Sequence, residues 1–178
     1  MTTMNDRVLR GISWSQTSTL GRVLVMTGFL LVFAAIGLSI SQRWDVRINS
    51  TESLKGVVFV FDKQDRRPVR GELIEFNAPP NPYIASKYVL GKRVVGMPGD
   101  VVEFRGRDVL INGQFVHTAK KVSLRGDRLD LLRDGKAFVI DSGYYYVAGE
   151  HKDSFDSRYS IFGLIPQSAV IGTGRSVF

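Results

Sequence analysis

The sequence predicts a mainly β fold: an antiparallel β-sheet or barrel-like domain on a single N-terminal transmembrane helix. Three observations predict it. An uncharged apolar run, Val23 to Ile40, stands near the N-terminus. The rest of the chain carries short β-type runs separated by turn signals. Helical periodicity is almost absent from that remainder, where only Leu129, Leu131 and Leu132 hint at one or two turns. With 178 residues, 44% hydrophobic and 23% charged, the chain has room for one packed domain and a small extra element, and a disordered or fibrous class is excluded.

The apolar run comes first. Its 18 residues would span roughly 27 Å as a helix, close to the ~30 Å hydrocarbon core of a bilayer. Arg22 and Arg43 bracket it, and Trp44 sits where an interfacial aromatic belongs. As a buried core helix it would have to be wrapped on all sides, because the run is apolar on every face, and the rest of the chain is too small to wrap it. A cleaved signal peptide would need a small-x-small site, for which Ser39-Ile40-Ser41, tight against Arg43, is a poor match. The expected organisation is a cytoplasmic tail over 1–20, an anchor over 21–43 and an extracytoplasmic β domain over 44–178. Lysine and arginine counts on the two sides of the anchor nearly tie, so they do not set its orientation.

Beyond the anchor come the strands. Val57–Phe61 is a short apolar run, and Glu72–Phe76 alternates with period two. Lys87–Val95 is a longer strand. Asp108–Ile111 and Gln114–Val116 flank Asn112-Gly113, a strong hairpin signal, because a type I′ turn needs positive φ at both central residues. Tyr144–Ala148 and Ala169–Ile171 complete the set. Pro79-Pro80-Asn81-Pro82 marks a loop.

The formal charge of +7 invites a nucleic-acid reading. Its distribution argues otherwise, because basic and acidic residues interleave along the chain and read as a solvated mixed-charge surface. The chain has no cysteine, which excludes a disulfide scaffold, a thiolate metal site and a cysteine nucleophile. Two histidines, His117 and His151, leave little for a histidine triad. A serine activated by lysine is one chemistry that remains. Such a lysine must be neutral at working pH, and so it must be desolvated. Lys92 meets that need best, among Tyr88, Val89, Leu90, Val94 and Val95, on the face of Leu90 and Val94. The bland alternative is a strand lysine that snorkels to the sheet edge.

Lys92 also opens Lys-Arg-Val-Val-Gly-Met-Pro-Gly-Asp, residues 92–100. This resembles the box around the general-base lysine of type I signal peptidases. The run from Gly149 to Tyr159, with Ser154-Phe155-Asp156-Ser157-Arg158-Tyr159, is similar to the same family's later box. Gly163-Leu164-Ile165-Pro166 and Arg70–Phe76 match two further segments in order. The size and the Asp-Ser-Phe-Asp-Ser-Arg-Tyr run are most similar to the conjugative-transfer subgroup, the TraF-type peptidases that mature pilin precursors.

The resemblance implies a nucleophile just after the anchor. Ser53 fits, with Asn49, Thr51 and Gly56 around it, although the subgroup's proline is missing; Ser50 is the reserve. It further implies that Lys92 is the base, that the Ser53 N–H and the Thr51 hydroxyl hold the oxyanion, and that Ser154 orients the lysine. Asp156 and Arg158 would pair to hold the site's loops, or Asp156 would assist catalysis directly. The enzyme would be a Ser-Lys endopeptidase of the bacterial inner membrane, with its domain in the periplasm. It would cleave a membrane-held precursor, a pilin or a secretory preprotein, with cyclisation of a pilin product as a further possibility. Apolar strand edges at Val57–Phe61 and Tyr83–Val89 would take the substrate as an added strand, favour small residues as the family does, and dip into lipid headgroups. Lipid is thus an expected partner, and neither nucleic acid nor any cofactor or metal is. The alternative is a non-catalytic anchored module that scaffolds a pilus or secretion assembly.

Overall fold

A computed structural model describes residues 18–49, 53–85 and 87–177 of the protein. The chain divides into two units between Gln42 and Arg43. Helix α1 runs from Thr19 to Arg43, and all but its last residue belong to the first unit. Ser18 Oγ accepts the Gly21 N–H at 3.2 Å and caps it. Its 25 residues make a rod of about 37 Å, none of them buried, and it is long and apolar enough to cross a membrane. The Ser39 hydroxyl bonds back to the Ala35 carbonyl at 2.9 Å, so a polar group within the run is satisfied by the helix itself.

The second unit is β throughout, apart from short turns. Its strands are β1 (Trp44–Ile48), β2 (Val58–Asp62), β3 (Leu73–Asn77), β4 (Val89–Gly96), β5 (Val101–Arg105), β6 (Asp108–Ile111), β7 (Gln114–Thr118), β8 (Phe138–Val139), β9 (Tyr144–Ala148), β10 (Ile165–Pro166) and β11 (Val170–Ser176). A seven-stranded sheet has the order β1-β2-β11-β3-β4-β9-β10, and a four-stranded sheet the order β7-β6-β5-β8. Each recorded strand pairing is antiparallel.

The β6–β7 hairpin forms as the sequence requires. Ile111 faces Gln114, and Asn112 and Gly113 take φ of 52° and 76°, both in the left-handed region. Ile74, Phe76, Val94, Val147, Ile165 and Val170 build one core on the large sheet. Val102, Val109, Ile111, Phe138, Ile140 and Tyr146 build the second. Gly96, the last residue of β4, lies against that second core. A Cβ there would come within 2.6 Å of Ile140 Cδ1 and 2.8 Å of Tyr146 Cβ, so the close approach requires glycine.

Two expectations are corrected. The Val57–Phe61 run is no sheet edge: β2 is hydrogen-bonded to β1 on one side and to β11 on the other. The leucine segment is no regular helical turn. Leu131 bridges to Tyr159, and the 3-10 turn Leu132–Gly135 contains Arg133 and Asp134 with φ of 50° and 56°. Leu129 and Leu132 instead point into separate cores, which spaces them as packing demands.

The centre of the large sheet is formed by β3 and β4. β3 is flanked by β11 and β4. Ile74 and Phe76 face the first core, and Leu73 faces a third cluster with Leu54, Phe59 and Phe61. β4 pairs with β3 along Val89–Arg93, but β9 pairs only with Arg93, Val94 and Gly96. Among the described residues, the backbone from Val89 to Lys92 therefore meets no partner strand on its β9 side.

Candidate active site

Lys92 sits where β4 loses its second neighbour, and it is only 6% exposed. Its Nζ is hydrogen-bonded to Ser53 Oγ and, at 2.7 Å, to Ser154 Oγ. The two hydroxyls lie 2.9 Å apart and close a triangle of one amine and two alcohols. Three elements supply it: a strand, the loop after β1, and the loop after β9.

Burial lowers the Lys92 pKa from 10.5 to about 8; the Asp156 carboxylate opposes the fall and Arg158 adds to it. About one lysine in ten is then neutral at pH 7 and about half at pH 8. A neutral amine held against a serine hydroxyl can accept its proton.

The Ser53 loop is tied down at several points. Asn49 donates its side-chain amide to the Leu54 and Gly56 carbonyls at 2.8 and 2.9 Å. The Glu150 N–H donates to the Ser53 carbonyl at 2.7 Å, and the Glu150 carboxylate accepts the Lys55 N–H at 3.0 Å. Arg93, the neighbour of Lys92, grips the same carboxylate at 2.6 Å. Glu150 thus ties the serine's loop to the lysine's strand. Gly149 lies beneath the triangle: a Cβ on it would overlap Ser154 Oγ and stand 2.6 Å from Ser53 Oγ.

Asp156 and Arg158 form a buried bidentate pair, with Nε–Oδ1 at 2.7 Å and Nη2–Oδ2 at 2.8 Å. Burial alone would raise the Asp156 carboxyl, but the Arg158 guanidinium and the Gly149 N–H outweigh it and hold it below its usual range. Arg158 also donates to the Thr118 and Lys152 carbonyls at 3.2 and 3.3 Å. The side-chain bonds of Asp156 run to Arg158 and to the Gly149 N–H at 2.9 Å, rather than to Ser53 or Lys92.

Of the residues singled out in the sequence, Ser53, Lys92 and Ser154 come together, and Asp156 with Arg158 supports the loop beneath them. Thr51 and the reserve Ser50 lie outside the described residues. Asn49 was legible only as part of the subgroup's serine pattern, and the roles of Glu150 and Gly149 as braces were not read at all. Their signal was their place within the matching boxes. The triangle opens on a cleft of about 730 Å³, lined among others by Leu54, Phe59, Glu75, Ile84, Tyr88 and Leu90.

The model of the signal peptidase, peptidase S26 family matches residues 17–178. The chain belongs to that family. It is 31% identical over 115 residues to signal peptidase I S of Bacillus subtilis, covering 61% of this chain and 58% of the relative. It is 30% identical over 129 residues to the conjugal transfer protein TraF of Agrobacterium fabrum, covering 64% of this chain and 71% of that protein. The crystal structure of a signal peptidase I from Enterococcus faecalis aligns with a TM-score of 0.40 and 28% identity, over 60% of this chain and 95% of that one. The chain spans a little under three-fifths of the length of the first Bacillus relatives it matches.

Proposed function

We propose that this chain is a membrane-anchored serine endopeptidase that cleaves a membrane-presented precursor with Ser53 and Lys92. The observation that carries the reading is the triangle of Ser53, Lys92 and Ser154, built around a buried lysine. In the proposed reaction, neutral Lys92 takes the Ser53 hydroxyl proton as Oγ attacks the scissile carbonyl. The ammonium then gives that proton to the departing amine, leaving an acyl ester on Ser53. Lys92 next takes a proton from water, which attacks the ester; the acid product leaves and the proton returns to Ser53. The Ser53 N–H and the Thr51 hydroxyl are proposed as the oxyanion donors. Ser154 fixes the lysine rotamer, and Asp156 with Arg158 holds the Gly149 loop as a positioning pair rather than a chemical participant.

The substrate enters as a strand along Val89–Lys92, where β4 offers free backbone groups beside the base. Residues 1–20 form the cytoplasmic tail, 21–43 the anchor in the bacterial inner membrane, and 44–178 the catalytic domain in the periplasm. The substrate is a secretory preprotein, which the likeness to signal peptidase I supports, or a pilin precursor in a conjugation system, which the likeness to a conjugal transfer protein supports, with cyclisation of a pilin product as an extension of the second.

The test uses the full chain in vesicles with a secretory preprotein as probe, cleavage being read by mass spectrometry. Ser53→Ala and Lys92→Ala each reduce cleavage to background while circular dichroism is unchanged. Wild-type cleavage by both variants would remove Ser53 and Lys92 from the chemistry, and no cleavage by the wild-type chain would return it to a scaffold role. An active Ser53→Ala beside a dead Ser50→Ala would move the nucleophile to Ser50.

A further inference from the structure

We propose that the cavity behind the Gly149–Lys152 turn receives the substrate residues that follow the scissile bond, and that Lys152 at its rim favours an acidic side chain among them. The inference rests on the peptidase reading and deepens it by naming what the leaving side of the substrate carries.

The sheet sets the path out of the cleft. A peptide laid along Val89–Lys92, with the residues before the scissile bond on that edge, occupies the place that β9 takes from Arg93 onward. There Ala148 pairs with Arg93 and Val147 with Val94. Past Lys92 the peptide must therefore leave the plane of the sheet. One face is closed, because Val94 and Val147 lie fully buried in the first core. On the other face, Arg93, Val95 and Ala148 line a cavity of about 410 Å³. Gly91, Arg93 and Val95 share that face of β4, so the cleft at Gly91 leads along the strand into this cavity, and His151 lines both. The nucleophile stands at the boundary. The Glu150 and His151 N–H groups donate to the Ser53 carbonyl at 2.7 and 3.4 Å, and Gly149, whose Cβ would stand 2.6 Å from Ser53 Oγ, is itself part of the cavity wall.

The cavity carries an excess of positive charge. Arg93 is matched by Glu150 at 2.6 Å, and the buried Arg158 by Asp156 at 2.7 Å. Burial lowers the His117 pKa from 6.5 to about 4, with Asp156 opposing and Arg158 adding, so that ring is uncharged at neutral pH. Glu150 is the one carboxylate among the described lining residues, and Arg93 and the Lys55 N–H already engage it. Lys152 is exposed at the rim, and its ammonium has no carboxylate partner among the described residues. An acidic side chain entering here meets an unmatched cation, whereas a neutral one of the same shape gains nothing from it.

The test uses peptides spanning one cleavage site, unchanged before the cut. The three positions after it are exchanged singly between shape-matched pairs, glutamate against glutamine and aspartate against asparagine. Cleavage is read by mass spectrometry with the full chain in vesicles. At one position the acidic member is cleaved about two- to fivefold better, and the advantage shrinks as salt is added. Lys152→Gln levels the pair, and Lys152→Glu reverses the preference. A photo-reactive phenylalanine placed after the cut labels Val116–Thr118 across the cavity in full-chain Ser53→Ala. Equal cleavage of both members at every position, a preference that Lys152→Glu leaves in place, or labelling confined to Ile84 and Leu124 in the cleft overturns the inference while the peptidase reading stands. No cleavage of any peptide by the wild-type chain overturns the peptidase reading. Stronger labelling of Val116–Thr118 by the acidic peptide than by its amide partner then keeps the cavity as an acid-selective site, and equal or absent labelling there overturns both.

Discussion

Replacing Lys92 by methionine isolates the property on which the proposed chemistry depends. The unfolded chain holds the lysine proton up to 10.5, and the folded chain only to about 8. Between those values unfolding takes up a proton, so wild-type stability rises with pH through that window. Below pH 8 the full penalty of a buried ammonium is present. The gap between 10.5 and about 8 is worth about 3 kcal/mol. Methionine has similar length and no proton to exchange. The stability of wild type relative to Lys92→Met therefore climbs by about 3 kcal/mol between pH 7.5 and 10.5. Urea unfolding of both full-length proteins in detergent, at half-unit pH steps, measures it, and every other titrating group cancels in the difference. In parallel, precursor cleavage by wild type gains about tenfold per pH unit below 8 and levels off above. Two stability curves that stay parallel across the window would show that Lys92 keeps its ordinary proton affinity, and the lysine could not serve as the base.

Packing sets two further outcomes. Gly149→Ala puts a methyl group onto Ser154 Oγ and Cβ and against Ser53 Oγ, so cleavage falls about a hundredfold or more and the crowding lowers stability by about 1–3 kcal/mol in urea unfolding; an active variant would place the reactive hydroxyl elsewhere. Asp156→Asn leaves the buried Arg158 unneutralised and lowers stability by about 3–5 kcal/mol in urea unfolding. Replacing both partners together with Asp156→Leu and Arg158→Met recovers much of that loss, and a single variant as stable as wild type would remove the pair's structural role.

Much of the fold was legible because its signals are local. Asn112-Gly113 encodes its turn in two residues, and the apolar runs of β2, β3 and β9 mark strands regardless of their neighbours. β1 was missed because Asp45 and Arg47 interrupt its apolar pattern, and the ion pairs that explain them become visible only in three dimensions. β8 and β10, at two residues each, are shorter than any pattern can register. In the site, Lys92 was readable from its apolar flanks and its box, and Ser154 from the box alone. Glu75 read as one letter of an alternating strand, and nothing local says that it faces a cleft. Gly149 and Glu150 act across more than ninety residues, on Ser53 and Lys55, and that separation hides such contacts from a linear reading.

The free stretch of β4 carries one more consequence. The proton affinity of Lys92 is governed mainly by how little water reaches it, because the nearby acid and guanidinium pull in opposite directions. A peptide laid along Val89–Lys92 would shed hydration from the mouth of the cleft and strip the amine further. Occupancy would thus shift the lysine toward its uncharged form at constant pH, so an idle site rests with its amine mostly protonated and a filled one readies itself.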